Sequence, residues 1–307
     1  MLIGIDIGGT HTRIALAESV DAYDAQSAKL VVIPSTSWRR GSLFSDQANA
    51  DRLIGHIPTD QDGWQDAPLA AGVHGCDSDE QCQTLANWLA TAHAGPVVVV
   101  NDSELFGPAM GLPQAINVAL GTGSIVLGRA TSGHMVKVGG HGWLLGDPGS
   151  APGLVRESVK AIAKAFDAGA SPGALAQALM AHFGSADPIE LIDDFTADAE
   201  ITHWGALCPL VFQAATDGDQ LALGVIAEAA AELARNIYQV WQQGAVGSDV
   251  VLSGGVVRAQ PRLAQAIGTE LASLRPDLRI ITLDKEPVRG ALALAASLAP
   301  AAYTETN

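Results

Sequence analysis

The sequence predicts an α/β protein made of two similar halves, each a mixed sheet with helices, and a helical insertion in the second half. Three observations carry this. Short apolar runs of strand length alternate with helical patterns from Leu2 to Met110. A helix-stopping cluster, Gly111-Leu112-Pro113, is followed by a restart of the same alternation. Each half then opens alike, with a strand, a turn of Gly and Thr, a second strand and a third, which points to a duplicated unit. The 307 residues suit two domains at the usual allowance of roughly 100 to 200 residues each. We expect them at 1–111 and 112–307, with the last helix, about 288–299, packing back toward the first.

In chain order, strands are expected at Leu2 to Ile7, Arg13 to Ala17, Lys29 to Ile33, Leu69 to Val73 and Val97 to Val100. Helical patterns cover about Gln47 to His56, Asp79 to Ala92 and Ser103 to Met110. After the restart, Ile116 to Leu120, Ser124 to Arg129 and Met135 to Val138 read as strands. Helices dominate from Leu154 to Gly244, the longest from about Asp219 to Gln243. Alternation then returns with a strand at Asp249 to Leu252, a helix at Pro261 to Leu274, a strand at Leu278 to Leu283 and a small-residue helix at Val288 to Leu298.

Charge and composition exclude several functions. Seventeen Lys and Arg against 33 Asp and Glu leave a net charge of -16, too few cations to neutralise a run of nucleic-acid or lipid phosphates. We therefore expect no nucleic-acid partner. No apolar run approaches the roughly 20 residues of a membrane helix, so no membrane partner is expected either. The chain enters a strand pattern at once, without a basic leader, and a cytoplasmic location is the expectation. Cys76, Cys82 and Cys208 lack the paired spacing of a zinc or iron-sulfur site and read as reduced thiols.

Five stretches can carry chemistry. In Asp6-Ile7-Gly8-Gly9-Thr10-His11-Thr12-Arg13, glycines let backbone N–H groups approach an anion, and the hydroxyls of Thr10 and Thr12 can donate to phosphate. Asp6, ending the first strand, is placed to hold Mg²⁺ through water; a plain hairpin is the alternative. Gly121-Thr122-Gly123 repeats the turn in the second half, and two such turns can serve one polyphosphate. An apolar strand ends at Asn101-Asp102, where in open α/β sheets ligands bind, so Asp102 can accept the proton of an attacking hydroxyl. Alternatively, Asp102 caps a helix starting at Ser103. From Val138 to Ser150 five of thirteen residues are Gly, a density suited to close approach to a ligand, and Gly140, His141 and Asp147 offer groups for sugar hydroxyls. Gly254-Gly255 ends a buried-type strand, leaving room for a flat ring or forming an ordinary strand-to-helix turn.

Together these residues resemble the nucleotide site of the actin, sugar kinase and Hsp70 superfamily, which implies two ribonuclease H-like (actin-like ATPase) domains. Asp6 to Arg13 is similar to the first phosphate motif, Leu120 to Ser124 to the second, and Ser253 to Val257 to the adenosine motif. Asp102 with Gly107, Ala109 and Gly111 resembles the first connecting helix, and Val288 to Ala295 the second. Within the superfamily, Gly139-Gly140-His141-Gly142 and Gly146-Asp147-x-Gly149-Ser150 resemble the N-acetylglucosamine kinase and BadF/BadG ATPase group, although Pro148 replaces the usual Glu.

That resemblance implies ATP and Mg²⁺ as cofactors, an amino sugar as small-molecule substrate, Asp102 as catalytic base, and a homodimer as in relatives. It also implies Ala214 and Asp217 near the nucleotide, and Gly75 and Asn101 near the sugar. The expected reaction is phosphorylation of N-acetylglucosamine at its 6-hydroxyl. Glucosamine kinase is the nearest rival; an ATPase activating a redox partner and a silent sugar sensor are the others.

Overall fold

The computed structural model describes residues 1–58 and 62–299. The chain divides into two compact units, Met1–Gln114 with the segment from Leu283 onward, and Ala115–Thr282. The first begins with β1 (Leu2–Ile7), β2 (His11–Ala17), α1 (Val20–Asp24), β3 (Lys29–Pro34), α2 (Ala48–Ile54), β4 (Leu69–Val73), α3 (Asp79–Ala92), β5 (Val97–Asn101) and α4 (Phe106–Ala109). The second contains β6 (Ala115–Leu120), β7 (Ser124–Arg129), β8 (Met135–Gly139), α5 (Ala151–Asp167), α6 (Ala174–Phe183), α7 (Pro188–Ala197), α8 (Ile201–Ala206), α9 (Cys208–Thr216), α10 (Gln220–Gln242), β9 (Asp249–Ser253), α11 (Gly255–Ala259), α12 (Pro261–Leu274) and β10 (Arg279–Thr282). The final helix, α13 (Pro287–Leu298), belongs to the first unit.

Each unit has a five-stranded mixed sheet, ordered β3-β2-β1-β4-β5 in the first and β8-β7-β6-β9-β10 in the second. The two orders are the same once the second is counted from its own first strand. Strand senses match as well: β1 is antiparallel to β2 and parallel to β4, as β6 is to β7 and β9. This is the ribonuclease H-like α/β fold present twice. The copies diverge after the third strand, because α5 to α10 lie between β8 and β9.

The cores arise from apolar strands and striped helices. All six residues of β1 are buried. In α10, Val225, Ile226, Ala229, Ala230, Leu233, Ala234, Ile237 and Val240 are buried at helical spacing, one apolar stripe against the second unit's core. In the first unit α13 covers β1, burying Val288, Leu292 and Ala295 with Leu2, Ala15 and Ala70. Arg289 pins that helix: its guanidinium donates to both carboxylate oxygens of Asp24 at 2.7 Å and to the Ala109 carbonyl at 2.6 Å.

Three local features depart from the sequence expectations. The short helix α1, capped by Ser19, is unexpected; five residues give periodicity too little to act on. Helix α5 starts at Ala151 rather than Leu154, because Ser150 accepts from the Gly153 N–H and Pro152 fits a first turn. The stretch expected as one helix from Ser103 is a 3₁₀ turn, Asp102–Leu105, continuing into α4.

Gly254 shows how closely the second unit packs. Its φ is +121°, and a Cβ there would lie 2.1 Å from the carbonyl oxygen of Leu120 on β6. We expect Gly254→Ala to cost about 3 kcal/mol or more, from left-handed strain plus the backbone clash. Chemical denaturation of the two proteins measures this directly.

Candidate active site

In the first unit, register brings chemistry to one sheet edge. Ile7 pairs with Val73 and Val73 with Asn101, so the carboxyl ends of parallel β1, β4 and β5 are level. The Gly8-Gly9-Thr10 turn, the loop starting at His74, and Asp102 therefore emerge side by side.

The turn is a tight hairpin closed by the Gly8 N–H donating to the His11 carbonyl at 3.0 Å. Gly9 and Thr10 are exposed and available to a ligand. Thr12 is not: it is fully buried, 3.0 Å from the Ser35 hydroxyl, and it accepts from the Trp38 indole N–H at 3.0 Å. Strand alternation turns Thr12 into the interior, where it ties β2 to the chain after β3. Its hydroxyl is therefore not placed for the phosphate contact expected of it.

Asp6 is buried at the end of β1, opposite Arg13 in the ladder, with Arg13 Nη1 3.6 Å from Asp6 Oδ2. Burial raises its carboxyl to about 6 from an ordinary 3.8, and the Asp102 and Glu286 charges add to this. Arg13 pulls the other way but loses, being partly exposed and at ion-pair rather than hydrogen-bond distance. A carboxylate so disfavoured when alone is suited to a cation. Among the described residues no group of three or more His, Cys, Asp or Glu side chains can hold a metal.

Asp102 is the first residue of the 3₁₀ turn and is not its cap. The cap is Asn101, whose side chain accepts from Ser103, while Glu104 reaches back to the Asn101 N–H at 3.0 Å. Asn101 also donates to the Cys76 carbonyl and to Asp77 Oδ1, each at 3.1 Å. Its amide is thus a strut between β5 and the loop after β4. The Asp102 side chain is 30% exposed, with Oδ1 accepting from the Ser103 N–H at 3.0 Å and Oδ2 3.5 Å from His74 Nδ1. Gly75 comes next after His74, with a φ of +85°, and is exposed.

In the second unit, Gly121-Thr122-Gly123 joins β6 to β7. Ala119 pairs with Ser253, so the turn and the Gly254-Gly255 corner share one end of the sheet. Beside them lies a mostly apolar cavity of about 440 Å³ lined by Gly121, Thr122, Gly205, Pro209, Gly255 and Val256, among others. Gly254 is a packing residue and does not line it. Ala214 is buried in the core, and exposed Asp217 accepts from Gln213; neither reaches the cavity, whose wall comes instead from α8 and the start of α9. Sequence reasoning missed that wall, since Ile201 to Pro209 carries no signal beyond helical composition. Cys208 lines it too, its thiol pushed up to about 12 by burial.

Asp147 lies behind the second turn. It is buried in the left-handed region, φ +59°, and its Oδ2 is 3.0 Å from where a Gly123 Cβ would be. Burial raises its carboxyl, against hydrogen bonds from the Gly142 and Ser124 N–H groups and the Arg156 and His141 charges. Its Oδ1 is buried without a hydrogen-bond partner. Gly140 and His141 are exposed on the loop leading to it.

The duplicated fold, with a Gly-Thr turn in each copy and a cavity beside one of them, is the architecture of the actin-like ATPase class. The chain belongs to the BadF/BadG/BcrA/BcrD ATPase family, whose model matches residues 85–295. It is 25% identical to the N-acetylmuramic acid/N-acetylglucosamine kinase of Clostridium acetobutylicum over 75% of this chain and 77% of that one. It is 24% identical to the N-acetyl-D-glucosamine kinase of Dictyostelium discoideum over 96% of this chain and 97% of that one. A solved structure of a candidate N-acetylglucosamine kinase from Chromobacterium violaceum shares the fold, with a TM-score of 0.60, 24% identity and coverage of 96% and 98%. Among the described residues no helix is long and apolar enough to cross a membrane.

Proposed function

We propose that the protein is an ATP-dependent amino sugar kinase that phosphorylates N-acetylglucosamine at its 6-hydroxyl. The observation that carries this is Asp102, a half-open carboxylate at the end of a buried strand, level with the Gly8-Gly9-Thr10 turn. The relatives from Clostridium acetobutylicum and Dictyostelium discoideum support the substrate class.

In this reading the cavity beside Gly255 takes the adenine ring, and each unit's own turn offers phosphate donors: the Gly9 N–H and Thr10 hydroxyl in the first, the Gly123 N–H and Thr122 hydroxyl in the second, while the Gly8 and Gly121 N–H groups close the turns on the His11 and Gly123 carbonyls. Asp147 accepts from a sugar hydroxyl, filling its unpartnered Oδ1, while His141, Gly140 and Gly75 border the sugar. Asp102 orients the attacking hydroxyl and takes its proton as the new O–P bond forms; the electrons of the broken P–O bond stay on ADP. Such transfer has a loose transition state, so positioning counts for more than base strength. Asp6 would hold Mg²⁺ through water, and the ion, when bound, neutralises charge on the phosphate oxygens. Few basic side chains are needed, which accommodates ATP on a chain of net charge -16.

Coupled ADP release across N-acetylglucosamine, glucosamine, glucose and N-acetylmannosamine tests the reading. N-acetylglucosamine should give the highest kcat/KM. Equal ADP release with and without every sugar would overturn kinase activity, and a preference for glucosamine would move the assignment to the free amine.

A further inference from the structure

Two carboxylates, Asp6 and Asp102, stand close enough at the first unit's sheet edge for the second to raise the first. Asp6 has Arg13 opposite it. The group that answers Asp102 comes from the loop after β4: His74 Nδ1 is 3.5 Å from Asp102 Oδ2. His74 is held in place through its backbone, its N–H donating to the Ile7 carbonyl at 2.8 Å, directly before the phosphate turn. Its Cδ2 edge faces that turn, 3.8 Å from where a Cβ on Gly9 would be. One imidazole thus borders both the candidate base and the Gly9 backbone, and its side chain is 62% exposed, open to a ligand.

We propose that His74 is a positioning residue of phosphoryl transfer, fixing the Asp102 carboxylate and presenting positive charge beside the Gly8-Gly9-Thr10 turn. This rests on the kinase reading of the site. With Oδ1 fixed by the Ser103 N–H and Oδ2 steered by His74, the carboxylate plane is set from both sides, leaving the second lone pair of Oδ2 for the substrate hydroxyl. At 3.5 Å the contact is loose, as such contacts often are before substrate binds. A cation near a transferring phosphoryl group stabilises the transition state more than the ground state, and the turn itself supplies only amides and a hydroxyl. No covalent step passes through His74: the proton goes to Asp102 and the phosphoryl group to the sugar.

The charge on His74 has identifiable sources. The Asp102 carboxylate beside it, and next the Asp77 charge, raise its affinity for a proton; burial and Arg39 oppose them. His74 is therefore charged to a higher pH than an ordinary histidine, and its contribution is lost as pH rises through that raised value.

The test is steady-state kinetics of the full chain with His74→Ala and His74→Asn, saturating in turn with ATP and N-acetylglucosamine. We expect His74→Ala to lower kcat about 10- to 100-fold, the cost of misplacing one reacting group or removing one donor, with each KM within about threefold. His74→Asn, a neutral donor, should recover part of the loss and abolish the alkaline limb of the wild-type kcat profile. A His74→Ala kcat within twofold of wild type would overturn the proposal, as would an effect confined to the sugar KM. Because the ring is exposed, both variants should melt within a few degrees of wild type; one that does not is replaced by His74→Gln, judged by the same criteria. A wild-type protein without sugar-dependent ADP release sinks the kinase reading itself, which separates that failure from a failure of the His74 role.

Discussion

Asp102→Asn should lower kcat by about 10² to 10⁴, the usual contribution of a positioned acid–base group, while leaving ATP affinity within about threefold of wild type. The fold around the substitution gives this variant its clarity. The backbone of the 3₁₀ turn is held by the Asn101 cap and its reciprocal bond from Glu104, and by Asn101 reaching to Cys76 and Asp77; none of these uses the Asp102 side chain. Asparagine keeps an oxygen to accept from the Ser103 N–H, so only the charge and the proton-accepting oxygen are removed. A second readout comes from His74. Its raised proton affinity depends first on Asp102, so its NMR titration should fall toward the ordinary histidine range in the variant. A kcat within tenfold of wild type, with His74 titrating lower as expected, would show that Asp102 is present but is not the base.

The parts of this site that are legible in the sequence are those that local chemistry marks. The five strands of the first sheet are apolar runs punctuated by Gly, Pro and Asp, and each is legible to within two residues. Asp102 stands out because a fully apolar run ends at Val100, two residues before it, and Asp147 because it sits in a loop dense with glycine. The illegible parts depend on packing between distant segments. Thr12 looks like its neighbour Thr10, yet alternation along β2 and the arrival of Trp38 put its hydroxyl inside. Gly254 and Gly255 look equivalent, but only the second lines a cavity; the first is required where β6 passes 2.1 Å from its absent Cβ. Motif position points to Ala214 and Asp217, whereas the cavity wall is supplied earlier in the chain, by α8 and the start of α9. His74 carries no local mark of a role, because nothing near it in sequence shows that pairing of Ile7 with Val73 and Val73 with Asn101 brings it to Asp102.

Asp6→Asn should separate stability from activity in opposite directions. Asp6 titrates near 6 in the folded protein against 3.8 for an unperturbed carboxyl, so folding favours its protonated form. That direction sets the sign: below about 4 both states are protonated and Asp6 costs nothing. Between 4 and 6 the folded state holds the extra proton, and stability falls as pH rises. Above 6 the cost is complete, about 3 kcal/mol at most from the size of the shift. Asparagine has the same shape and no charge to desolvate, so without nucleotide and metal the variant should be about 2 kcal/mol more stable than wild type at pH 8. It should be equal to wild type at about pH 4. Urea denaturation at the two pH values checks this, and a variant less stable at both would mean that the Arg13 ion pair outweighs burial. The same substitution removes the carboxylate that the proposed function assigns to Mg²⁺, so kcat with Mg·ATP and sugar should fall at least about 100-fold, on the scale of other single transition-state charge contacts. The stabilisation that Mg·ATP gives wild type should shrink in parallel, since ligand stabilisation tracks binding. A buried charge that weakens the empty fold and is needed once ligand arrives is the signature of a functional group, because a structural carboxylate would lower stability and gain nothing by being kept.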